Sequence, residues 1–226
     1  MGVYAEMYEG WKRDPEAFWM DAAKAIDWVK EPSRALFADQ GSYGRWFSDG
    51  VCNTCHNAVD RHVEAGRADQ AALIYDSPIT GKQQTYTYAA LKDEVEALAA
   101  ALLDRGVGKG DRVIIYMPMV PQAAFAMLAC ARIGAVHSVV FGGFAAAELA
   151  TRIDDCAAKC IISASCGIEP GRVIAYKPLL DGAIEMAENK PESTLILQRE
   201  QEGCALIEGR DFDYDSEVGR HRSAGT

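Results

Sequence analysis

Residues Ala129–Phe144 read ACARIGAVHSVVFGGF and decide the fold of this 226-residue chain. The stretch runs from a helix that Gly134 ends, through an apolar strand at Ala135–Val140, to a pair of glycines before another helix. Open α/β sheets bind their ligands at loops of this order, at the carboxyl ends of parallel strands. Phe141–Phe144 is therefore either a ligand-binding loop or a tight turn, and the motif alone does not decide between them.

The segments around this stretch alternate between short apolar strands and amphipathic helices. They are Arg112–Met117, Gln122–Ile133, Ala145–Ala157, Lys159–Ser163, Pro178–Glu188 and Thr194–Gln198. Such alternation predicts an α/β fold, with a parallel β-sheet built from βαβ units and flanked by helices on both faces. We expect residues 1–60 to form a helical and loop-rich extension, residues 61–200 an α/β subdomain, and residues 201–226 a linker or truncated end.

The charge and hydropathy of the chain argue against some classes of partner. The net charge of −10 argues against nucleic acid as a partner. No apolar run approaches the roughly 20 residues that cross a membrane, and the first residues lack the apolar centre of a signal peptide. We expect a cytoplasmic protein without a membrane partner, whose seven cysteines stay reduced.

Cys52–His56 reads CNTCH, which matches the pattern of covalent haem attachment. That chemistry needs export, and the segment also lacks the strand-then-helix setting of a redox pair. A zinc site would need a second pair of ligands, for which His62 is one candidate without a clear fourth. We interpret the segment as a helix start, and keep a haem or redox protein as an unfavoured alternative.

Ser165–Lys177 follows the next strand and is predicted to be a loop on the same sheet edge as the glycines. Arg172 would extend from that edge with Lys177 nearby, and cations beside backbone amides suit a phosphate. A solvated arginine is the alternative.

Asp60-Arg61-His62 suggests acid–base chemistry at first sight, but neighbouring helical residues do not face one another, so we expect a structural ion pair or cap there.

Taken together, these stretches resemble the amino-terminal part of the AMP-forming short-chain acyl-CoA synthetases, of the acetyl- and propionyl-CoA synthetase type. The resemblance covers nearly the whole chain. It rests on Trp46-Phe47, Asp49-Gly50, Asn53, Cys55, Asn57, Asp60-Arg61-His62, Tyr86-Thr87-Tyr88, Leu91, Gly106-Val107, Gly110-Asp111-Arg112-Val113, Tyr116–Met119, Leu128–Phe144, Arg152–Asp155 and Gly171-Arg172. Ile26-Asp27-Trp28 resembles the propionyl branch more than the acetyl branch.

The resemblance implies the large domain of an adenylate-forming ligase. Its reaction joins propionate or acetate to CoA through an acyl-adenylate, with ATP, CoA and Mg²⁺ as cofactors of the full-length enzyme. It implies CoA-binding residues at Glu169, Pro170, Gly171 and Arg172, with Gly143 near the same site. Glu169 stands where many acetyl-type relatives carry an arginine, and it would repel a phosphate unless it pairs with a cation. The resemblance implies no catalytic residue and no metal ligand in this chain.

The family's Ser/Thr/Gly-rich ATP loop, its ribose-binding acid and its adenylating lysine do not occur in this sequence. We therefore expect a fragment that is inactive alone, that binds none of these cofactors tightly, and that self-associates through its truncated face. A stand-alone, non-catalytic binding module is the alternative function.

Overall fold

The computed structural model describes residues 2–143 and 145–222. Phe144, the last residue of the predicted glycine loop, and residues 223–226 of the predicted linker lie outside this range. The chain divides into two units, Met1–Asn57 and Ala58–Thr226. Within the described residues, no helix combines the length and the apolar character that a membrane crossing requires.

The first unit is built from two helices and four short strands. The helices are α1 (Val3–Arg13) and α2 (Pro15–Ala23). Asp14 caps α2, because its carboxylate accepts a hydrogen bond of 3.0 Å from the backbone N–H of Ala17. The strands are β1 (Trp28–Lys30), β2 (Leu36–Phe37), β3 (Arg45–Trp46) and β4 (Val51–Cys52); β1 pairs with β4 and β2 with β3, both antiparallel.

In the second unit, a hairpin of β5 (Ala71–Ser77) and β6 (Lys82–Thr87) precedes α3 (Tyr88–Asp104). The hydroxyl of Thr87 accepts a hydrogen bond from the N–H of Ala90 at 3.2 Å and so caps the start of α3. The helix start predicted at Cys52–His56 is wrong at Cys52, which lies in β4; two π-helical turns follow at His56–Asp60 and Val63–Arg67.

A five-stranded parallel sheet forms the centre of this unit. The remaining elements in chain order are β7 (Arg112–Met117), α4 (Pro121–Ile133), β8 (Val136–Phe141), α5 (Ala146–Cys156), β9 (Cys160–Ala164), β10 (Cys166–Glu169), β11 (Arg172–Ala175), α6 (Tyr176–Met186), β12 (Ser193–Leu197), β13 (Asp211–Asp213) and α7 (Tyr214–Gly219). The strand order is β13-β12-β9-β7-β8, and every neighbouring pair is parallel. The predicted α/β class and parallel sheet are confirmed.

Burial on both faces explains why the sequence predicts the central strands. Successive residues of β7 point to opposite faces of the sheet, and both Ile114 and Ile115 are fully buried. On the face of Ile114 the sheet packs against Leu149 of α5 and Leu180 of α6. A strand covered on both faces is apolar along its whole length, which is the pattern seen at Arg112–Met117.

Strand β8 lies at one end of the sheet and is less well covered. The exposed fractions of Val136, Val139 and Phe141 are 55%, 52% and 72%, whereas Val140 is buried. Its partner within the sheet is β7. The described sheet therefore ends on an apolar strand with one open edge.

The segment after residue 200, predicted to be a linker, instead completes the other end of the sheet with β13 and α7. Asp211 of β13 is buried and accepts a hydrogen bond from the hydroxyl of Thr194 at 2.8 Å. Its carboxylate also lies 3.0 Å from the ammonium of Lys177 and 2.5 Å from the guanidinium of Arg210. Ionic contacts hold β13 in the sheet, so apolar periodicity does not reveal it.

Candidate functional site

The carboxyl ends of the parallel strands bring the two predicted ligand-binding segments to one edge of the sheet. Strand β8 ends at Phe141 beside Met117 of β7, and Tyr116 of β7 pairs with Ser163 near the end of β9. Gly142 and Gly143 therefore leave the sheet at the same edge as the segment that follows β9. The expected juxtaposition of these two segments is confirmed.

The segment after β9 is a β-hairpin and not the predicted loop. Strands β10 and β11 pair antiparallel, with Cys166 opposite Ala175 and Glu169 opposite Arg172. Pro170 and Gly171 form the turn, and Gly171 has a φ of 81°, which suits the second central position of a type II turn. The functional consequence is that Arg172 is carried on a paired strand next to the turn.

Glu169 and Arg172 form an ion pair across this turn. The carboxylate oxygen Oε2 of Glu169 lies 2.8 Å from Nε and 2.6 Å from Nη2 of Arg172. The exposed fractions of the two side chains are 44% and 68%, so water screens the pair, which is worth about 1 kcal/mol or less. The pairing supplies the counter-charge that Glu169 requires, and it is weak enough for a phosphate to compete for the guanidinium.

Lys177 does not lie with Arg172 at the surface, contrary to the prediction. Its ammonium is buried and lies 2.6 Å from a carboxylate oxygen of Asp181 and 3.0 Å from one of Asp211. Arg210 completes this buried group by pairing with both carboxylates. Burial opposes ionisation of Asp211, but hydrogen bonds led by that of Arg210 outweigh it and hold the pKa of Asp211 well below its usual range. Lys177 thus stabilises the fold through its ion pairs with Asp181 and Asp211.

The two glycines after β8 have different surroundings. Gly142 is buried, and a methyl group on its Cα would lie 2.8 Å from ring carbons of Tyr176. Gly143 is exposed, and a methyl group there would lie 3.1 Å from a ring carbon of the exposed Phe141. Close packing against Tyr176 therefore requires glycine at position 142. Gly143, in contrast, exposes its backbone to solvent.

Two further residues, which the sequence does not predict, support this edge. Tyr176 begins α6, and its ring stacks on that of Tyr116 with centroids 5.0 Å apart. Arg199 follows β12; its backbone N–H donates to the hydroxyl of Ser165 at 2.9 Å, and its guanidinium donates to the carbonyl of Cys166 at 3.2 Å. Both contacts fasten the base of the hairpin, and the sequence carries no local signal for either.

Two asparagines in and directly after the Cys52–His56 segment, Asn53 and Asn57, have structural roles in the first unit. The side chain of Asn53 accepts a hydrogen bond from the N–H of His56 at 3.0 Å. Asn57 bonds both backbone groups of Asp27, at 2.9 Å and 3.0 Å. Cys52 is exposed and Cys55 is buried. Among residues 2–143 and 145–222, no three His, Cys, Asp or Glu side chains gather as a metal site.

Two family profiles cover nearly the whole chain. The profile of AMP-binding enzymes matches residues 59–217, and that of the acetyl-coenzyme A synthetase N-terminus matches residues 4–58. Among curated proteins, the acetyl-coenzyme A synthetase of Streptomyces coelicolor is 48% identical over 209 residues, which are 92% of this chain and 32% of that protein. The propionate–CoA ligase of Salmonella typhimurium is 43% identical over 221 residues, or 98% and 35%.

Among solved structures, the acetoacetyl-CoA synthetase from Streptomyces lividans superposes with a TM-score of 0.84 at 22% identity. The match covers 100% of this chain and 34% of that one. It is evidence for a shared fold. The chain spans about a third of the length of the curated relatives named above.

Proposed function

This chain belongs to the AMP-binding enzyme family, among the short-chain acyl-CoA synthetases, and from that premise we propose that it forms the amino-terminal part of a ligase. The ligase joins a short-chain carboxylate to CoA. The carboxylate attacks the α-phosphate of Mg²⁺-bound ATP, which releases pyrophosphate and leaves an acyl-adenylate. The thiol of CoA then displaces AMP and forms the thioester.

We propose propionate as the acid, with acetate as the alternative. One relative is named a propionate–CoA ligase and another an acetyl-coenzyme A synthetase, so the relatives support both. The resemblance of Ile26-Asp27-Trp28 to the propionyl branch favours the former. We also propose that the protein acts in the cytoplasm.

The exposed guanidinium of Arg172 at the sheet edge is the observation that carries the proposal for CoA. A phosphate there receives charge-assisted hydrogen bonds from Arg172, which the weak pairing with Glu169 permits. Pro170 and Gly171 shape the turn, and Gly143 offers backbone on the same edge. The proposed CoA site is therefore formed by Pro170, Gly171, Arg172 and Gly143, with Glu169 included as the ion-pair partner that orients Arg172.

The test is Arg172→Ala in the full-length protein. We expect the KM for CoA to rise about tenfold, the value of one charge-assisted contact, while carboxylate-dependent ATP–pyrophosphate exchange is unchanged. Arg220→Ala is the matched control, because Arg220 is 60% exposed and also pairs with a glutamate three residues earlier, Glu217. An unchanged KM for CoA in Arg172→Ala would exclude this arginine from the site.

The proposal that adenylation needs residues outside this chain has its own test. The 226-residue chain is assayed for ATP–pyrophosphate exchange with acetate and with propionate, after circular dichroism shows it to be folded. We expect no exchange from the folded chain with either acid. Exchange would mean that these residues already hold a complete ATP site.

A further inference from the structure

Tyr176 lies where the hairpin, the sheet and α6 meet. It is 4% exposed, directly follows β11, and begins α6. Its backbone N–H donates to the carbonyl of Ser165 at 3.0 Å, and its ring stacks on Tyr116 of β7 at an interplanar angle of 30°. Backbone and ring are thus fixed independently, so the position of the phenol is well defined.

Two glycine backbones press against this phenol from different segments. A methyl group on Gly142, after β8, would lie 2.8 Å from its ring carbons, and closer still to its hydroxyl. A methyl group on Gly167, in β10, would lie 2.5 Å from the hydroxyl and from Cε1. Real Cβ atoms do not approach this closely, so both positions require glycine because of the same side chain.

The hairpin depends on such a contact. A two-stranded hairpin is only marginally stable by itself. Ser165 and Arg199 fasten its base, but its outer end, with Glu169 and Arg172, is partly or largely exposed. Tyr176 touches β10 one residue beyond Cys166 and also touches the Gly142 backbone. It is a contact shared by the two segments that carry the proposed CoA-binding residues.

We propose that Tyr176 is a positioning residue that sets the spacing between the Gly142–Gly143 backbone and the hairpin bearing Arg172. This inference rests on the proposed CoA site. The planar ring acts as a spacer: it keeps the outward-facing backbone of Gly143 and the guanidinium of Arg172 in one geometry, so that a single CoA molecule meets both.

The proposed spacing depends on the ring of Tyr176 and not on the ionisation of its hydroxyl. Burial raises the pKa of the Tyr176 hydroxyl, so it stays neutral at physiological pH. Phenylalanine keeps the stacking on Tyr116 and most of the contact with the glycines. Tyr176→Phe is therefore the conservative variant, whereas Tyr176→Ala removes the spacer.

The experiment compares the KM for CoA, the KM for ATP and ATP–pyrophosphate exchange in the full-length protein. We expect Tyr176→Ala to raise the KM for CoA about tenfold or more, because misplaced binding groups lose their contact, and to leave the two ATP measurements unchanged. Tyr176→Phe should stay within about twofold of wild type, since it preserves the packing. Phe125→Ala is the control for a lost core aromatic, since Phe125 is 1% exposed and its ring packs on Tyr86.

A second variant avoids removing any core side chain. Gly142→Ala pushes a methyl group against Tyr176 and should also raise the KM for CoA selectively, whereas Gly182→Ala in α6 meets only an ordinary 3.4 Å contact and should not. Folded Tyr176→Ala and Gly142→Ala proteins with a wild-type KM for CoA would overturn the inference while leaving the proposed function intact. A wild-type protein that forms acyl-adenylate but never consumes CoA would overturn both.

Discussion

Asp60 and Arg132, 72 residues apart in the sequence, form an ion pair in the second unit. Nη2 of Arg132 lies 2.9 Å and 2.7 Å from the two carboxylate oxygens of Asp60. Asp60 is 6% exposed. The expectation that Asp60-Arg61-His62 is structural is thus confirmed for its aspartate, which joins the segment before β5 to the end of α4.

Removing Asp60 takes away the close counter-ion of Arg132, whose other carboxylate partner, Glu96, is farther away at 3.5 Å. We expect Asp60→Ala to lower the free energy of unfolding by about 2–3 kcal/mol, somewhat less than for a fully buried pair because Arg132 is partly exposed. Urea unfolding measures this. Glu200→Gln, which breaks the exposed pair with Lys82, is the control and should leave the unfolding midpoint near that of wild type. Equal stability of Asp60→Ala and wild type would contradict the assignment.

Glu169 competes with any anion for Arg172, so neutralising it should favour the anion. We expect Glu169→Gln to lower the KM for CoA about two- to fivefold, the range that an exposed ion pair of about 1 kcal/mol or less allows. Steady-state kinetics with CoA varied at saturating ATP measures the effect. A KM that rises several-fold would show instead that the Glu169 carboxylate itself contacts CoA.

The buried group around Asp211 makes stability depend on pH. Because the pKa of Asp211 in the folded protein is lower than its usual value of 3.8, the ionised carboxylate stabilises the fold above that value, and the contribution is lost as pH falls toward the folded-state pKa. We expect Asp211→Asn to be less stable than wild type by about 3 kcal/mol at pH 7.

Thermal unfolding between pH 7 and pH 2 measures this dependence. The difference between wild type and Asp211→Asn should narrow below pH 3.8, since the unfolded wild type then binds a proton at Asp211 that the folded protein does not bind. Asp213→Asn serves as the control in the same strand. A constant difference across the whole range would mean that Asp211 stabilises the fold through its shape and not through its charge.

The sequence predicts β7, β8, β9 and β12 closely because their apolar runs report burial directly. It misses β10 and β11, since Gly167 and the turn at Pro170-Gly171 are typical of a loop, and β13, since buried ion pairs replace apolar residues there. Strand polarity places the glycine pair at the correct edge. That Gly142 is the close-packed glycine depends on Tyr176, a residue of another element, and no local pattern encodes such a contact.

The open edge of β8 also determines how another polypeptide could pair with this sheet. In the part of the chain that the structure describes, β8 is a parallel strand with one unshared edge, which offers a row of backbone donors and acceptors; exposed apolar side chains at Val136, Val139 and Phe141 flank that row. Any polypeptide that extends the sheet here has to arrive with its own backbone stretched out. Recognition at this edge would thus begin with main-chain geometry, which every amino acid shares, and only afterwards discriminate by side-chain fit.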